Sequence, residues 1–169
     1  MHRLAALLVV ALSCAGAVAG RAQGARNIAS LAGIEGIEVV VETLTPAQEA
    51  IGLSERSLRS DIEVQLRRAA VRVLSQVQQC GALPCLYVHV TTTTVPGAAG
   101  TTASFVHVGL QQLVGLSRDT SVSLSVETWR ALGRIGLAPS AQTADRVRDA
   151  VRNEVDQFIT AFLDANPRR

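Results

Sequence analysis

From Cys85 to Gly136 the chain alternates apolar and polar residues almost without a break. Leu86, Val88 and Val90 interleave with Tyr87, His89 and Thr91, the period of a half-buried strand. Beyond the turn-forming Pro96-Gly97-Ala98-Ala99-Gly100, Val106, Val108 and Leu110 take one face, and Phe105 and His107 the other. Ser117-Arg118-Asp119 interrupts the pattern, and Val122, Leu124 and Val126 begin a third run opposite Glu127 and Trp129. Three such runs joined by short loops predict an antiparallel meander. If the aliphatic side is the core, Tyr87, His89, Phe105, His107, Glu127 and Trp129 share the opposite face. A register slip of one residue would reverse any one strand.

The flanking segments follow other periods. Ile37 to Thr43 is an apolar run that predicts a first strand. Thr45-Pro46-Ala47-Gln48 is a capping box for a single helical turn that Gly52 stops. Ser54 caps a longer helix in which Leu58, Ile62, Leu66 and Ala69 recur at three- and four-residue steps, with Glu55–Arg59 and Glu63–Arg67 on its wet side. Val71-Arg72-Val73-Leu74 reads as a short strand. After a break at Leu137-Ala138-Pro139-Ser140, either Ser140 or Thr143 can cap the last helix, whose stripe is Ala144, Val147, Val151, Val155, Phe158, Ile159 and Phe162. Arg152 and Asp156 are spaced to pair on it, and Asn166-Pro167 ends it. Packing on the sheet suits this helix better than lying on a membrane, because its polar face mixes acids with Arg. The predicted fold is α+β: a two-layer sandwich in which an antiparallel-rich sheet of four to five strands carries two main helices on one face.

Residues 37–90 resemble a group of small exported bacterial proteins of unassigned function. The resemblance rests on Glu42 and Leu44 closing the first strand, Gly52-Leu53-Ser54 opening the helix, then Leu58, Arg59, Asp61, Glu63, Leu66 and Arg67, Val73-Leu74, and Leu86-Tyr87-Val88. It implies an α+β fold and brings no catalytic residues. The group carries Gly between helix and second strand; Ala70 stands there, so a differently wound turn is expected.

Composition adds an address. Residues 1–22 have a short basic start, an apolar run from Leu4 to Leu12 and small residues, the form of a secretory signal peptide with cleavage after Ala19 or Ala22. That run is too short to span a membrane. Alternatively, Ala11-Leu12-Ser13-Cys14 resembles a lipobox, with Cys14 carrying a lipid anchor. Residues 23–33 are expected as a flexible leader and 34–166 as a single α+β domain, placed in the periplasm, outside the cell or lipid-anchored to the envelope. Removing residues 1–22 takes away Arg3 and Arg21, leaving 14 Arg against 14 acids, so nothing points to nucleic acid. Cys80 and Cys85 remain, spaced as a disulfide closing a small loop worth about 2 kcal/mol.

The chain has no Lys, which excludes a Walker A loop, a Schiff-base lysine and a Ser-Lys dyad. The glycine-rich Pro96–Thr102 loop joins strands and reads as a hairpin connection, not a phosphate cradle. G-x-S-x-G, H-E-x-x-H, C-x-x-C and G-x-G-x-x-G are all absent. What remains is the face bearing His89, His107 and Glu127, flanked by Tyr87, Phe105 and Trp129. With no catalytic set, cofactor or resident metal in view, a non-catalytic binding or structural domain of the cell envelope is favoured, its partner an envelope protein or small ligand. The alternative is a metal- or ligand-binding enzyme that uses His89, His107 and Glu127.

Overall fold

The computed structural model describes residues 27–74, 80 and 84–167. The signal peptide expected over residues 1–22 and the lipid anchor considered at Cys14 both fall outside the described residues.

The first strand, β1 (Glu38–Val41), runs parallel to β2 (Cys85–Thr94), which starts a long antiparallel run through β3 (Thr101–Leu116) and β4 (Asp119–Arg130). The sheet order is β1-β2-β3-β4, with β5 (Arg134–Pro139) also beside β3. The meander is therefore as expected, but the predicted break at Leu137-Ala138-Pro139 is the end of β5. Sixteen-residue β3 outruns β4: it pairs with β4 over Gly109–Leu116 and with β5 over Thr101–Val106. The sequence pattern was followed only to Gly136 and put Leu137 in the break, because the second pairing needs the full length of β3.

Helices α1 (Pro46–Ala50), α2 (Glu55–Arg68) and α3 (Thr143–Ala165) follow from local signals. Thr45 and Gln48 form the reciprocal capping box, and Gln48 then reaches across to the Val90 carbonyl at 2.6 Å. Ser54 caps α2, and Leu58, Ile62 and Leu66 are buried on its inner side. Their counterpart on α3 is Val147, Val151, Val155, Phe158 and Phe162. Both stripes close on Val39, Val41, Leu86, Val88, Val106, Val108 and Leu110. Glu55–Arg59 and Glu63–Arg67 pair as read. The Arg152–Asp156 pair does not form: Arg152 holds Asp149 at 2.9 Å, while Asp156 accepts from Gln65 of α2 at 2.6 Å. Packing against α2 supplied Asp156 with a donor that its own helix does not show. Neither Ser140 nor Thr143 caps α3, because a 3-10 turn, Ser140–Gln142, leads into it and Gln142 takes the cap position without a side-chain bond.

The end of α2 is a Schellman motif: Ala70 N–H donates to Arg67 O and Val71 N–H to Leu66 O, each at 2.9 Å. Its left-handed residue is Ala70, at φ +58°. The turn is thus wound as a glycine would wind it, contrary to expectation, and a Cβ bears the strain. The strand expected at Val71–Leu74 contracts to one parallel bridge, Ile37 to Val73. Where residues 23–33 were expected as a flexible leader, residues 27–33 are docked. Leu31 is buried in the core, and Asn166 accepts from Gly33 N–H at 2.8 Å and donates to Leu31 O at 2.9 Å. Asn166 was read only as a helix stop. Cys80 and Cys85 are joined in the disulfide, which ties Cys80 to the first residue of β2.

Candidate functional site

Two helices cover one side of the sheet; on the other, Glu38 and Cys85 are buried, while Tyr87, His89 and Glu127 keep part of their surface accessible. Register decides what stands there. His89 on β2 lies directly opposite His107 on β3. The neighbouring bond from Val95 N–H to Thr101 O makes this a hydrogen-bonded pair, with Cα atoms about 5.5 Å apart. Glu127 of β4 reaches His107, Oε2 to Nε2 at 2.5 Å. On the far side, Glu42, the residue after β1, binds His89 Nδ1 through Oε2, and the Tyr87 hydroxyl donates to that same oxygen at 2.7 Å. The result is a row that runs from the end of β1 across β2, β3 and β4: carboxylate, imidazole, imidazole, carboxylate.

Gly109 makes the outer pair possible. A Cβ at this position would collide with Glu127 Oε2 and lie 2.8 Å from its Cδ. The bare backbone of β3 therefore serves as the floor on which Glu127 lies to reach His107. The ring of His89 is held at both nitrogens, since Nε2 is 2.8 Å from Thr91 Oγ1. An ionised carboxylate cannot donate, so in the neutral ring Nδ1 carries the proton and Nε2 accepts the threonine hydroxyl. The Tyr87 hydroxyl first, and His89 second, hold the Glu42 carboxyl below its usual range against the opposing effect of burial. In the same contact, burial first and the Glu42 carboxylate second push the Tyr87 phenol up to about 12.

Of the six residues expected on this face, the structure places Tyr87, His89, Phe105, His107 and Glu127 there. Trp129 is the correction. Leu110 faces Trp129 and Gln111 faces Glu127, so Thr128 is the extra residue of a β-bulge and turns the indole to the helix side. There Trp129 is buried edge-on against Phe158, ring centroids 5.2 Å apart. Val122, Leu124 and Val126 do lie on the helix side, yet Val122 and Leu124 are exposed because the β3–β4 hairpin extends past the helices. Glu42 is the member that sequence reading missed. It was visible only as the polar residue ending an apolar strand, and its role depends on the parallel pairing of β1 with β2.

Chemically, the row is two closed pairs. Among the described residues no group of three or more His, Cys, Asp and Glu is arranged to hold a metal ion. His89, His107 and Glu127 share a face, but each imidazole is turned to its own carboxylate. Thr91, His89 and Glu42 form a hydroxyl–imidazole–carboxylate chain on open sheet. Three grooves, one between α2 and α3, one between β5 and α3 and one beside Gly36, have none of these side chains in their walls.

The arrangement defines an α+β sandwich whose sheet carries two imidazole–carboxylate pairs on the side away from the helices. No family model matches the chain, and no curated protein does. Among solved structures it is similar to the rare lipoprotein B from Shewanella oneidensis, at 14% identity over 76% of this chain and 94% of that one, with a TM-score of 0.35. It is also similar to a minor lipoprotein from Acinetobacter baumannii, at 12% identity over 75% and 91% of the two chains, with a TM-score of 0.34. Likeness at that level assigns no role. Among the described residues no helix is long and apolar enough to cross a membrane.

Proposed function

We propose that this chain is an exported, non-catalytic binding domain of the cell envelope, and that the open sheet face receives another envelope protein. One observation carries the reading: Glu42, His89, His107 and Glu127 line up across the sheet in two hydrogen-bonded pairs on the side away from the helices. Pairing within the row holds its rotamers, so little side-chain entropy remains to be lost when a partner docks. Exposed Phe105 and Leu113 on the same face supply apolar contact beside the polar row. The export half of the proposal rests on residues 1–22 and is checked by the mass of the protein recovered from the envelope fraction. A start at Gly20 or Gln23 supports cleavage, a lipid-bearing start at Cys14 supports anchoring, and an intact Met1 in the cytoplasm removes the envelope altogether. Binding is tested with a photo-crosslinking residue at Phe105, at Leu113 or, as a control, at Val64 on the outer side of α2. Adducts with one protein from the first two positions and none from the third are expected. Equal yields from all three, or none from the face, refute it.

A further inference from the structure

The β5 side of the sheet is an open edge. Ser140 N–H donates to Gly100 O at 2.8 Å. That bond fixes every second pair of the ladder, so Thr102–Ala138, Ser104–Gly136 and Val106–Arg134 bond to each other. The backbone N–H and C=O of Ile135 and Leu137 must then point away from β3, and among the described residues β5 pairs with β3 alone. Edges of this kind are commonly guarded by charge, proline or a bulge. Here Arg134 and Pro139 bound the strand, and Ile135 to Ala138 between them are uncharged. Ile135 is 82% exposed and Leu137 70%, with Leu132 at 94% just before the strand.

What lies alongside gives the edge a sign. A groove between β5 and α3 is lined by Arg134, Gly136, Arg146, Asp149, Arg152 and Asn153. Its one carboxylate, on Asp149, is already held by Arg152 at 2.9 Å, and Arg134 lies 3.5 Å from the buried Glu154 carboxylate, which leaves Arg146 as the arginine that gives the groove its sign. Arg146 is exposed and makes no ion pair among the described residues. An added strand would lie about 4.8 Å from β5. Its alternate side chains would meet two different surroundings. Those on the helix side would face the arginines, while the others would extend the apolar strip of Phe105, Ile135 and Leu137.

We propose that β5 accepts an extended segment of another protein, one in which apolar residues alternate with acidic ones, as an added strand of the sheet. Main-chain bonds to Ile135 and Leu137 provide the attachment, and the arginine groove selects the acids. The site is separate from the His–Glu row, so either reading can fail alone.

The test uses the exported chain with its disulfide intact and a capped, fluorescent octapeptide alternating Val and Glu, with a Val/Lys peptide as comparison. Fluorescence anisotropy is expected to show the Val/Glu peptide binding at least about tenfold more tightly than Val/Lys, weakening as salt rises. Hydrogen exchange is expected to slow at Ile135 and Leu137. The Leu137→Pro variant removes an outward donor without removing a bond to β3, and should lose the peptide while keeping its circular dichroism. Arg146→Glu should lower affinity for Val/Glu and raise it for Val/Lys. Equal binding of the two peptides, unchanged binding by Leu137→Pro, or protection elsewhere on the sheet overturns the proposal. So does protection of Ile135 and Leu137 without peptide together with a dimer in sedimentation, which would make the occupant a second copy.

Discussion

Ala70 should be a better glycine than alanine. Its φ of +58° lies where an L side chain sets Cβ against the following carbonyl, at a cost of roughly 1–2 kcal/mol. The Schellman bonds from Ala70 and Val71 give the chain little freedom to leave that conformation. Val71 is buried, and so is Leu66, whose carbonyl it caps. Ala70 itself is exposed, so truncation to Gly removes almost no packed surface. Against the relieved strain stands the extra freedom of Gly in the unfolded chain, about 0.4–1 kcal/mol. The balance is a stabilisation of about 0.5–1 kcal/mol for Ala70→Gly, or about 1–4 °C in Tm for a chain of this size.

The neighbouring residue supplies the control. Ala69 has φ −81°, an ordinary value, so Ala69→Gly has no strain to relieve and should destabilise by about 0.5–1 kcal/mol. Both variants can be followed by urea unfolding through the fluorescence of Trp129, the single tryptophan, which sits in the core against Phe158. The reasoning requires opposite signs at adjacent positions. If Ala70→Gly destabilises as Ala69→Gly does, the turn is not held in the left-handed conformation and the argument fails.

Tyr87 is the only tyrosine, so its absorbance at 295 nm reports one phenol, expected to titrate near 12. Its raised value means that the contribution to stability is complete below about 10 and lost as pH climbs toward 12; Glu42→Gln should lower the midpoint while leaving it above 10, because burial is the larger cause, and an unchanged midpoint refutes the contact. Glu42 runs the opposite way: its depressed value gives stability that is present above 4.5 and lost as pH falls through the folded value, so Glu42→Gln should flatten the acid limb of an unfolding curve. Gly109→Ala should leave stability within about 0.5 kcal/mol yet displace Glu127, seen as a moved His107 ring resonance with His89 undisturbed; movement of neither contradicts the floor ascribed to Gly109. Glu154 is 1% exposed and accepts from Gly133 N–H at 3.0 Å, so Glu154→Ala should cost about 1.5–3 kcal/mol in urea unfolding and Glu154→Gln distinctly less.

Most features legible in the sequence have a local cause, the α3 cap and the turn at Ala70 being local exceptions. The capping box at Thr45, the α2 stripe and its two ion pairs depend on residues within one or two turns of each other, and all stand as read. The two-layer fold was legible for a related reason: period two and period 3.6 each mark one buried side, and two apolar stripes need one apolar sheet face to close on. Failures gather where a partner distant in sequence decides. Asp156 chose Gln65 of another helix, and β5 exists because β3 is long enough to pair twice along one edge.

The candidate site joins both kinds of information. Alternation put His89 and His107 on one face, and only pairing could show that they stand opposite one another. Glu127 and Trp129, two residues apart, were necessarily placed together by alternation, and a single bulged residue separated them. That bulge divides the work of β4: its carboxylate stays with the histidine row while its indole closes the core. Moving Trp129 inward removes the largest aromatic from the open face and leaves a surface that is mostly paired polar groups at its centre. If the face binds a partner as proposed, such a centre, with apolar Phe105, Ile135 and Leu113 around it, would favour recognition by shape and hydrogen-bond pattern over burial of one large anchor. The carboxylates fix the histidine rotamers within the chain itself, and Gly109, with no side chain, is what allows the outer one to do so.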